Sequence, residues 1–144
     1  MSWGPNAEYR YGKNGKKGDL GESFVKQYLD DNNIQYEDKQ DYHSQVIAKI
    51  DLIIDGVPVD VKTNAFKDFL CVEVERADGR AGWLYRTTAE EIYGVDLNAE
   101  EIYRYNIEDM IRYVELNEHR IKATKFNDKV IWVPKGLSII ERLL

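Results

Sequence analysis

The chain is 144 residues long, with 43% hydrophobic and 32% charged residues, values typical of one globular domain with a single core. No apolar run approaches the roughly 20 residues of a membrane-spanning helix, and we expect neither a membrane segment nor a signal peptide. The single cysteine, Cys71, excludes an intrachain disulfide and indicates a reducing cytoplasm. The net charge of −6 argues against nucleic-acid binding, although phosphate contacts depend on the contacting face and a bound cation offsets acidic ligands.

Basic residues at the start of the chain form the first candidate nucleic-acid contact. We predict that residues 1–17 are a flexible arm in which Trp3, Tyr9 and Tyr11 are interleaved with basic side chains, a composition that suits tracking of a strand. Two further basic clusters lie around Trp83 and toward the end of the chain. The three clusters are Arg10, Lys13, Lys16 and Lys17; Arg76, Arg80 and Arg86; and Arg120, Lys122, Lys125 and Lys129. For each cluster a solvated surface is the alternative.

A helix is predicted over residues 19–32. Its apolar residues recur at helical spacing, Asp19 suits the first turn, and an Asn-Asn pair suits the end. The apolar stripe consists of Phe24, Val25, Tyr28 and Leu29. Glu22 borders this stripe and can turn its carboxylate toward the hairpin that follows. The alternative is a favourable charge near the amino terminus of the helix.

The strongest local signal is the dipeptide Asp55-Gly56, which is typical of a two-residue type I′ turn between two strands. The strands are predicted at residues 46–54 and 57–63, and both are rich in Ile and Val. Counting outward from the turn places Asp51 opposite Asp60, as a non-hydrogen-bonded pair whose Cα atoms are about 4.5 Å apart. The hairpin therefore aims two carboxylates at one point.

Two facing carboxylates destabilise a sheet unless a positive charge lies between them. Mg²⁺ suits this position because it prefers one or two carboxylates together with water and phosphate oxygens. Lys62 projects from the same face as Asp60, since side chains alternate along a strand, and it can reach the same pocket. The alternative is that Asp51 and Asp60 are only exposed charges of a structural or interaction protein.

The elements around the hairpin are predicted to complete one α/β domain. An irregular strand is expected near residues 35–42. Residues 70–76 alternate between apolar and polar side chains and are expected to pair beside the strand of Asp60. Within that strand Glu73 either faces solvent or approaches the metal.

The last third of the chain adds further alternating elements. Trp83 is expected to pack in the core, and Thr88 with Glu91 fits a capping box. The remaining predictions are strands at residues 101–105 and 130–133, a helix capped by Asn106 that runs to about Leu116, and a short carboxy-terminal helix.

Two other chemistries lack their motifs. His43 and His119 stand alone and Cys71 has no companion, so no zinc-site spacing is present. Residues 12–18 are rich in Gly and Lys but follow no strand and lack the Gly-Lys-Ser/Thr ending of a phosphate-binding loop.

Ile50-Asp51 and Asp60-Val61-Lys62 on two strands of a hairpin, preceded by a helix that carries Glu22, resemble the PD-(D/E)xK superfamily of metal-dependent nucleases. The resemblance extends through the order of elements over residues 18–144, and in detail the chain looks most like the small phage-type and junction-resolving endonucleases. Ile50 stands where the motif has Pro. The resemblance implies one restriction-endonuclease-like α/β domain with a mixed central β-sheet flanked by helices.

This resemblance implies a Mg²⁺-dependent endonuclease that hydrolyses phosphodiester bonds in DNA, with Mn²⁺ as a substitute cation. Asp51, Asp60 and the Val61 carbonyl would hold the cation, Glu22 would complete the site as a catalytic residue and ligand, and Lys62 would act on the attacking water. The nucleic-acid contacts are assigned to Lys13, Lys16, Lys17, Arg80 and Arg86.

A chain of this size has little room for separate sequence-reading elements, so structure-selective or weakly sequence-specific cutting is expected. Relatives that cut both strands act as homodimers, and the resemblance implies the same here, with an interface that the sequence does not identify. The alternative function is a non-catalytic nucleic-acid-binding module that retains the nuclease fold.

Overall fold

The computed structural model describes the backbone of residues 12–144 and the side chains of residues 18–144. Helix α1, Gly12–Asp31, begins before the predicted start at Asp19. The last six residues of the arm predicted at residues 1–17 are therefore helical, and the rest of that arm lies outside the described residues.

Two shorter helices follow α1, namely α2, Trp83–Arg86, and α3, Ile107–Leu116, together with a π-helical turn at His43–Ala48 and a 3₁₀ turn at Glu118–Arg120. The strands are β1 Tyr36–Asp38, β2 Leu52–Ile54, β3 Val57–Lys62, β4 Ala65–Phe66, β5 Phe69–Glu75, β6 Glu91–Asp96, β7 Glu101–Asn106, β8 Lys122–Ala123, β9 Lys129–Pro134 and β10 Ile140–Arg142. None of the described helices is long and apolar enough to cross a membrane.

The strands form two sheets. Six strands make a mixed sheet in the order β1-β2-β3-β6-β7-β10, in which β3 and β6 are parallel and the other neighbours antiparallel. The second sheet is antiparallel, in the order β4-β5-β9-β8. Helix α1 packs against β3 and β6, and α3 packs against β7. The predicted α/β domain with a mixed central sheet and flanking helices is confirmed.

The central sheet separates two buried clusters. Ile92 and Tyr93 are neighbours in β6 but belong to different clusters, because successive side chains of a strand point to opposite faces. On one face, Val25 and Leu29 of α1 pack against apolar residues of β2, β3 and β7. On the other face, the core joins α3 to β5 and β9 of the second sheet, with Met110 fully buried.

Several local predictions are confirmed. The strands predicted at residues 101–105 and 130–133 are β7 and β9. Asn106 caps α3 as predicted, and its side-chain oxygen accepts a hydrogen bond from the Asp109 amide at 3.2 Å.

The predicted position of β5 is wrong. The alternating strand predicted at residues 70–76 exists, but its antiparallel partners are β4 and β9 of the second sheet, and β6 lies beside β3 instead. Leu70 and Val72 do face the core, as their alternation predicts. Alternation identifies the buried face of a strand but not its neighbour.

Three further predictions are wrong for reasons of tertiary packing. The first part of the strand predicted at residues 46–54 is the π-helical turn, and β2 begins only at Leu52. Glu91 begins β6 rather than closing a capping box with Thr88, whose hydroxyl donates to the Ala48 carbonyl instead. The predicted carboxy-terminal helix is replaced by β10, which pairs with β7.

A buried ion-pair network joins the two sheets. Lys135 follows β9 of the second sheet, and its ammonium lies 3.2 Å from Asp96 Oδ2 and 3.0 Å from Glu101 Oε1 in the central sheet. The Lys135 side chain is only 10% exposed and that of Asp96 only 5%. Removing one partner of such a network leaves a buried charge without compensation, which is far more costly than losing a surface pair.

We therefore expect Lys135→Ala to lower the free energy of unfolding by about 3 kcal/mol in urea denaturation. The control is Lys129→Ala, because Lys129 and Glu75 are 3.0 Å apart but both partners are more than a third exposed. That variant should lose less than about 1 kcal/mol. Equal losses for the two variants would contradict a clamping role for Lys135.

Candidate active site

The turn between β2 and β3 has the geometry predicted from the sequence. Asp55 has φ 51° and Gly56 has φ 81°, and positive φ at both central residues defines the type I′ turn. The pairing of Leu52 with Val59 confirms the predicted register of the hairpin.

Asp51 lies just beyond the regular hairpin. Its amide donates to the Val59 carbonyl at 2.9 Å, while its carbonyl accepts from Lys39 on the other side at 2.9 Å. The predicted non-hydrogen-bonded pairing of Asp51 with Asp60 is therefore wrong, because the backbone turns at Asp51 and points its amide toward β3. The Asp51 carboxylate reaches the predicted region nevertheless, since its Oδ2 accepts from the Val61 amide at 2.7 Å.

Asp60 is a buried carboxylate, and one of its two oxygens lacks a hydrogen-bond donor. The residue is 4% exposed, and its Oδ2 has no hydrogen-bond partner in the described part of the chain. The Lys62 ammonium is 3.5 Å from this oxygen, which is an ion pair rather than a well-formed hydrogen bond. Burial raises the pKa of Asp60 well above its usual range and the charge of Asp51 raises it further, while Lys62 opposes the shift.

Glu22 joins this carboxylate region from α1. Its Oε1 is buried and has no hydrogen-bond partner in the described structure. Burial, and next the charge of Asp51, raises the pKa of Glu22 to about 7. The hypothesis that Glu22 turns toward the hairpin thus agrees with its electrostatic interaction with Asp51.

Gly21 sets the depth at which α1 lies on the sheet. A Cβ atom at this position would lie 2.1 Å from Thr63 Oγ1 and 3.4 Å from Thr63 Cβ. A side chain at Gly21 would therefore collide with the Thr63 hydroxyl unless Thr63 changed its rotamer. Glu22 is the next residue, so its backbone lies close to the residue that follows β3.

The donor set suits a hard divalent cation. Carboxylates of Asp51, Asp60 and Glu22 and the Val61 carbonyl are all oxygen donors, and two of the carboxylates have oxygens without a hydrogen-bond partner within the described residues. No three carboxylate, imidazole or thiol groups of residues 18–144 lie close enough to form a complete metal cluster. Mg²⁺ does not need one, because it is commonly held by one or two carboxylates with water and phosphate oxygens.

Lys62 is positioned by Trp83. Its ammonium lies 5.3 Å from the centroid of the Trp83 ring, within the range of a cation–π interaction. Trp83 packs partly buried against the core, as predicted, and its amide donates to Glu73 Oε1 at 3.1 Å. Glu73 thus neither faces solvent freely nor joins the carboxylate region; it holds α2 in place.

The turn after α2 is bonded to the segment that precedes Asp51. Thr88 donates to the Ala48 carbonyl from its hydroxyl at 2.7 Å and from its amide at 2.9 Å. The Thr87 hydroxyl donates to the Lys49 carbonyl at 2.9 Å. These hydrogen bonds were not predicted from the sequence, in which the Thr-Thr pair was their only local signal.

The predicted nucleic-acid-binding residues lie in different parts of the structure. Arg86 is the last residue of α2; it lies 3.8 Å from Glu73 Oε1, and its Nε is buried without a hydrogen-bond partner among the described residues. Arg80 is exposed and pairs with Asp78 in the turn after β5. Lys13, Lys16 and Lys17 lie in the first turns of α1, but their side chains are outside the described residues. The contacts predicted for residues 1–11 also lie outside the described residues.

Comparison with known proteins gives a match of fold. No protein-family model matches the sequence, and no curated protein matches it. Among solved structures, the bacterial homing endonuclease I-Ssp6803I is similar with a TM-score of 0.52 and 16% sequence identity, over 71% of this chain and 74% of that chain. This similarity shows that the chain has an endonuclease-like fold.

The contact between Gly21 and Thr63 predicts that a smaller residue at position 63 compensates for a larger one at position 21. Gly21→Ala should lower the free energy of unfolding although Ala is the better helix former, because its methyl group meets Thr63. In the Thr63→Ala background the same change should be neutral or stabilising, with a coupling energy above about 1 kcal/mol in urea denaturation. Additive effects of the two changes would contradict the close approach of α1.

The raised pKa of Glu22 predicts a pH dependence of stability without metal. A carboxyl whose pKa rises on folding stabilises the protein below its unfolded pKa, and this contribution is lost as the pH rises toward 7. In EDTA, Glu22→Gln should therefore gain stability over the wild type between pH 4.5 and 7, by about 1–2 kcal/mol after allowance for solvent screening. Glu115→Gln on α3 is the control. If the difference in stability between Glu22→Gln and the wild type did not change with pH, the raised pKa of Glu22 would be refuted.

Proposed function

We propose that the protein is a metal-dependent endonuclease that hydrolyses phosphodiester bonds in DNA, with Mg²⁺ as the cation and Mn²⁺ as a substitute. The observation that carries the proposal is the buried Asp60 carboxylate, whose Oδ2 lacks a hydrogen-bond partner in the described part of the chain and which adjoins Asp51 and Lys62. The endonuclease-like fold supports it, and so does the resemblance of the hairpin to that of PD-(D/E)xK nucleases.

The cation would be held at the end of the hairpin. Asp51, Asp60 and the carbonyl of Val61 are the proposed ligands, and Glu22 either binds a second cation or holds water at the edge of the site. When bound, Mg²⁺ polarises a non-bridging phosphate oxygen and lowers the pKa of a coordinated water. A cation there would offset both the desolvation of Asp60 and its repulsion from Asp51.

Lys62 is the proposed partner of the attacking water. Its ammonium is held between Asp60 Oδ2 at 3.5 Å and the Trp83 ring at 5.3 Å, so few rotamers are open to it. From this position it orients the water, assists its deprotonation and offsets the negative charge that develops on the phosphate. Arg86, at the end of α2, is the proposed second contact to the phosphate backbone.

The substrate is DNA in this proposal, cut in a structure-selective or weakly sequence-specific way. With 144 residues, the chain has little surface for reading bases over a long site. Cutting both strands would require two sites, which a homodimer supplies.

A non-catalytic nucleic-acid-binding module is the alternative. It would retain the hairpin and use Lys62 and Arg86 only for phosphate contacts. The buried carboxylates oppose this reading, because unscreened negative charge beside a phosphate weakens binding unless a cation intervenes.

Cleavage of labelled DNA in Mg²⁺ or Mn²⁺ tests the proposal. The panel contains a single strand, a linear duplex, a four-way junction and RNA, each with an EDTA control. We expect metal-dependent cleavage that falls by about 10²–10⁴-fold in Asp60→Asn and in Lys62→Ala, since both groups act on the reacting atoms.

Two matched variants exclude a general effect of charge. Asp128→Asn and Arg112→Ala alter a turn carboxylate and an exposed guanidinium on α3, and both should cleave like the wild type. Far-ultraviolet circular dichroism should show that Asp60→Asn and Lys62→Ala remain folded. Absence of cleavage of every substrate, with DNA binding retained, would favour the non-catalytic module.

A further inference from the structure

Three aromatic side chains lie together on the outer face of the second sheet. Phe66 of β4 is the cross-strand partner of Phe69 of β5, and in the β5–β9 pair Cys71 faces Trp132. Facing residues share one side of a sheet, and their diagonal neighbours are about 7–8 Å apart, within reach of aromatic rings. Phe66, Phe69 and Trp132 therefore form a row across three strands, which we call the aromatic face.

The aromatic face is open to solvent. Phe66 is 50% exposed, Phe69 38% and Trp132 40%, whereas Leu70 and Val133, which alternate with them, are fully buried. None of the three aromatic residues belongs to either core cluster. Single exposed apolar side chains are common, whereas the largest apolar patch of a protein, such as a row of three large rings, is often functional.

The aromatic face adjoins the proposed active site by two routes. Along the chain, Phe66 follows Lys62 by four positions, which is at most about 14 Å even for an extended backbone. Across the sheet, Glu73 shares the outer face of β5 with Phe69, and its carboxylate accepts from the amide of Trp83 beneath Lys62. At roughly 3.4 Å per stacked nucleotide, the face is within about four nucleotides of the cleaved bond.

We propose that the aromatic face stacks the bases of an unpaired stretch of the DNA strand that is cut, an inference that rests on the proposed nuclease function. Base stacking on aromatic side chains tolerates any sequence, because every base has a π face. A duplex keeps its bases stacked on one another and offers none to such a surface. The substrate class is therefore DNA with a single-stranded segment beside the cleavage site.

The charge of the aromatic face favours bases over phosphates. The turn that joins β4 and β5 carries Lys67 and Asp68, whose opposite charges cancel, and the Lys67 ammonium lies 5.3 Å from the Phe66 ring centroid. Binding by this face should then depend weakly on salt, in contrast to phosphate contacts.

A second copy of the chain is a poorer occupant. Three aromatic side chains that are roughly half exposed offer on the order of 300 Å² of surface. A stable protein interface needs about 800 Å² from each partner. Two or three stacked bases, by contrast, require only the area that these rings provide.

Binding without turnover tests the inference. In the Asp60→Asn background, fluorescence anisotropy compares a short oligo(dT) with a duplex of equal length. The single strand should bind more tightly, and Phe66→Ala or Phe69→Ala should each weaken its binding roughly 5- to 100-fold while leaving duplex binding unchanged. Leu116→Ala, which alters a 77% exposed apolar side chain at the end of α3, should have no effect.

Conservative variants separate stacking from packing. Phe69→Tyr should retain oligo(dT) binding and Phe69→Leu should lose it, because only the former keeps an aromatic ring. Full retention in Phe69→Leu, or equal losses for single strand and duplex, would overturn the inference. Conversion of a dimer to a monomer by Phe66→Ala, measured by sedimentation, would overturn it in favour of self-association.

The same variants distinguish this inference from the proposed function. A wild type that binds oligo(dT) through Phe69 but cleaves nothing would overturn the nuclease function and keep the aromatic face as a binding site. An active nuclease whose preference for single-stranded segments survives Phe66→Ala and Phe69→Ala would overturn the inference alone.

Discussion

The burial of Asp60 beside a second carboxylate is the constraint on which the rest of this structure depends. Folding takes this side chain to 4% exposure, next to Asp51, and gives its Oδ2 no hydrogen-bond partner among the described residues. The Lys62 ammonium, 3.5 Å away, offsets only part of the cost of burying this charge, and the like charge of Asp51 adds to that cost. An apolar residue would avoid both penalties. This cost in stability is what we propose that a bound cation offsets.

Three elements outside the hairpin hold this site in shape. Helix α1 approaches Thr63 at Gly21, where a Cβ atom would lie 2.1 Å from the Thr63 hydroxyl oxygen, and the next residue, Glu22, interacts electrostatically with Asp51. Helix α2 places Trp83 against the Lys62 ammonium, and the residues after α2 are hydrogen-bonded to the segment before Asp51. Because each proposed catalytic side chain is fixed by a different element of the fold, the groups are held in place before any substrate binds.

Local chemistry made the hairpin predictable, whereas its surroundings depend on contacts distant in sequence. The dipeptide Asp55-Gly56 specified both the turn and the register that brings Asp60 and Lys62 to the site. The apolar Val46 and Ile47 suggested a strand, yet both are exposed in a π-helical turn that is anchored by hydrogen bonds from Thr87 and Thr88. The partner of β5 and the aromatic face arise from the β5–β9 pairing, which no local pattern encodes.

The central claim is that Asp60 helps to hold a divalent cation, and electron paramagnetic resonance of Mn²⁺ tests it most directly. Titration of the wild type without DNA should convert the signal of the hydrated ion into that of a bound one, and added Mg²⁺ should reverse the change by competition. Asp60→Asn, which keeps the size of the side chain and removes its charge, should abolish or strongly weaken this binding. Equal Mn²⁺ binding by the wild type and Asp60→Asn, or no binding by either, would contradict the account.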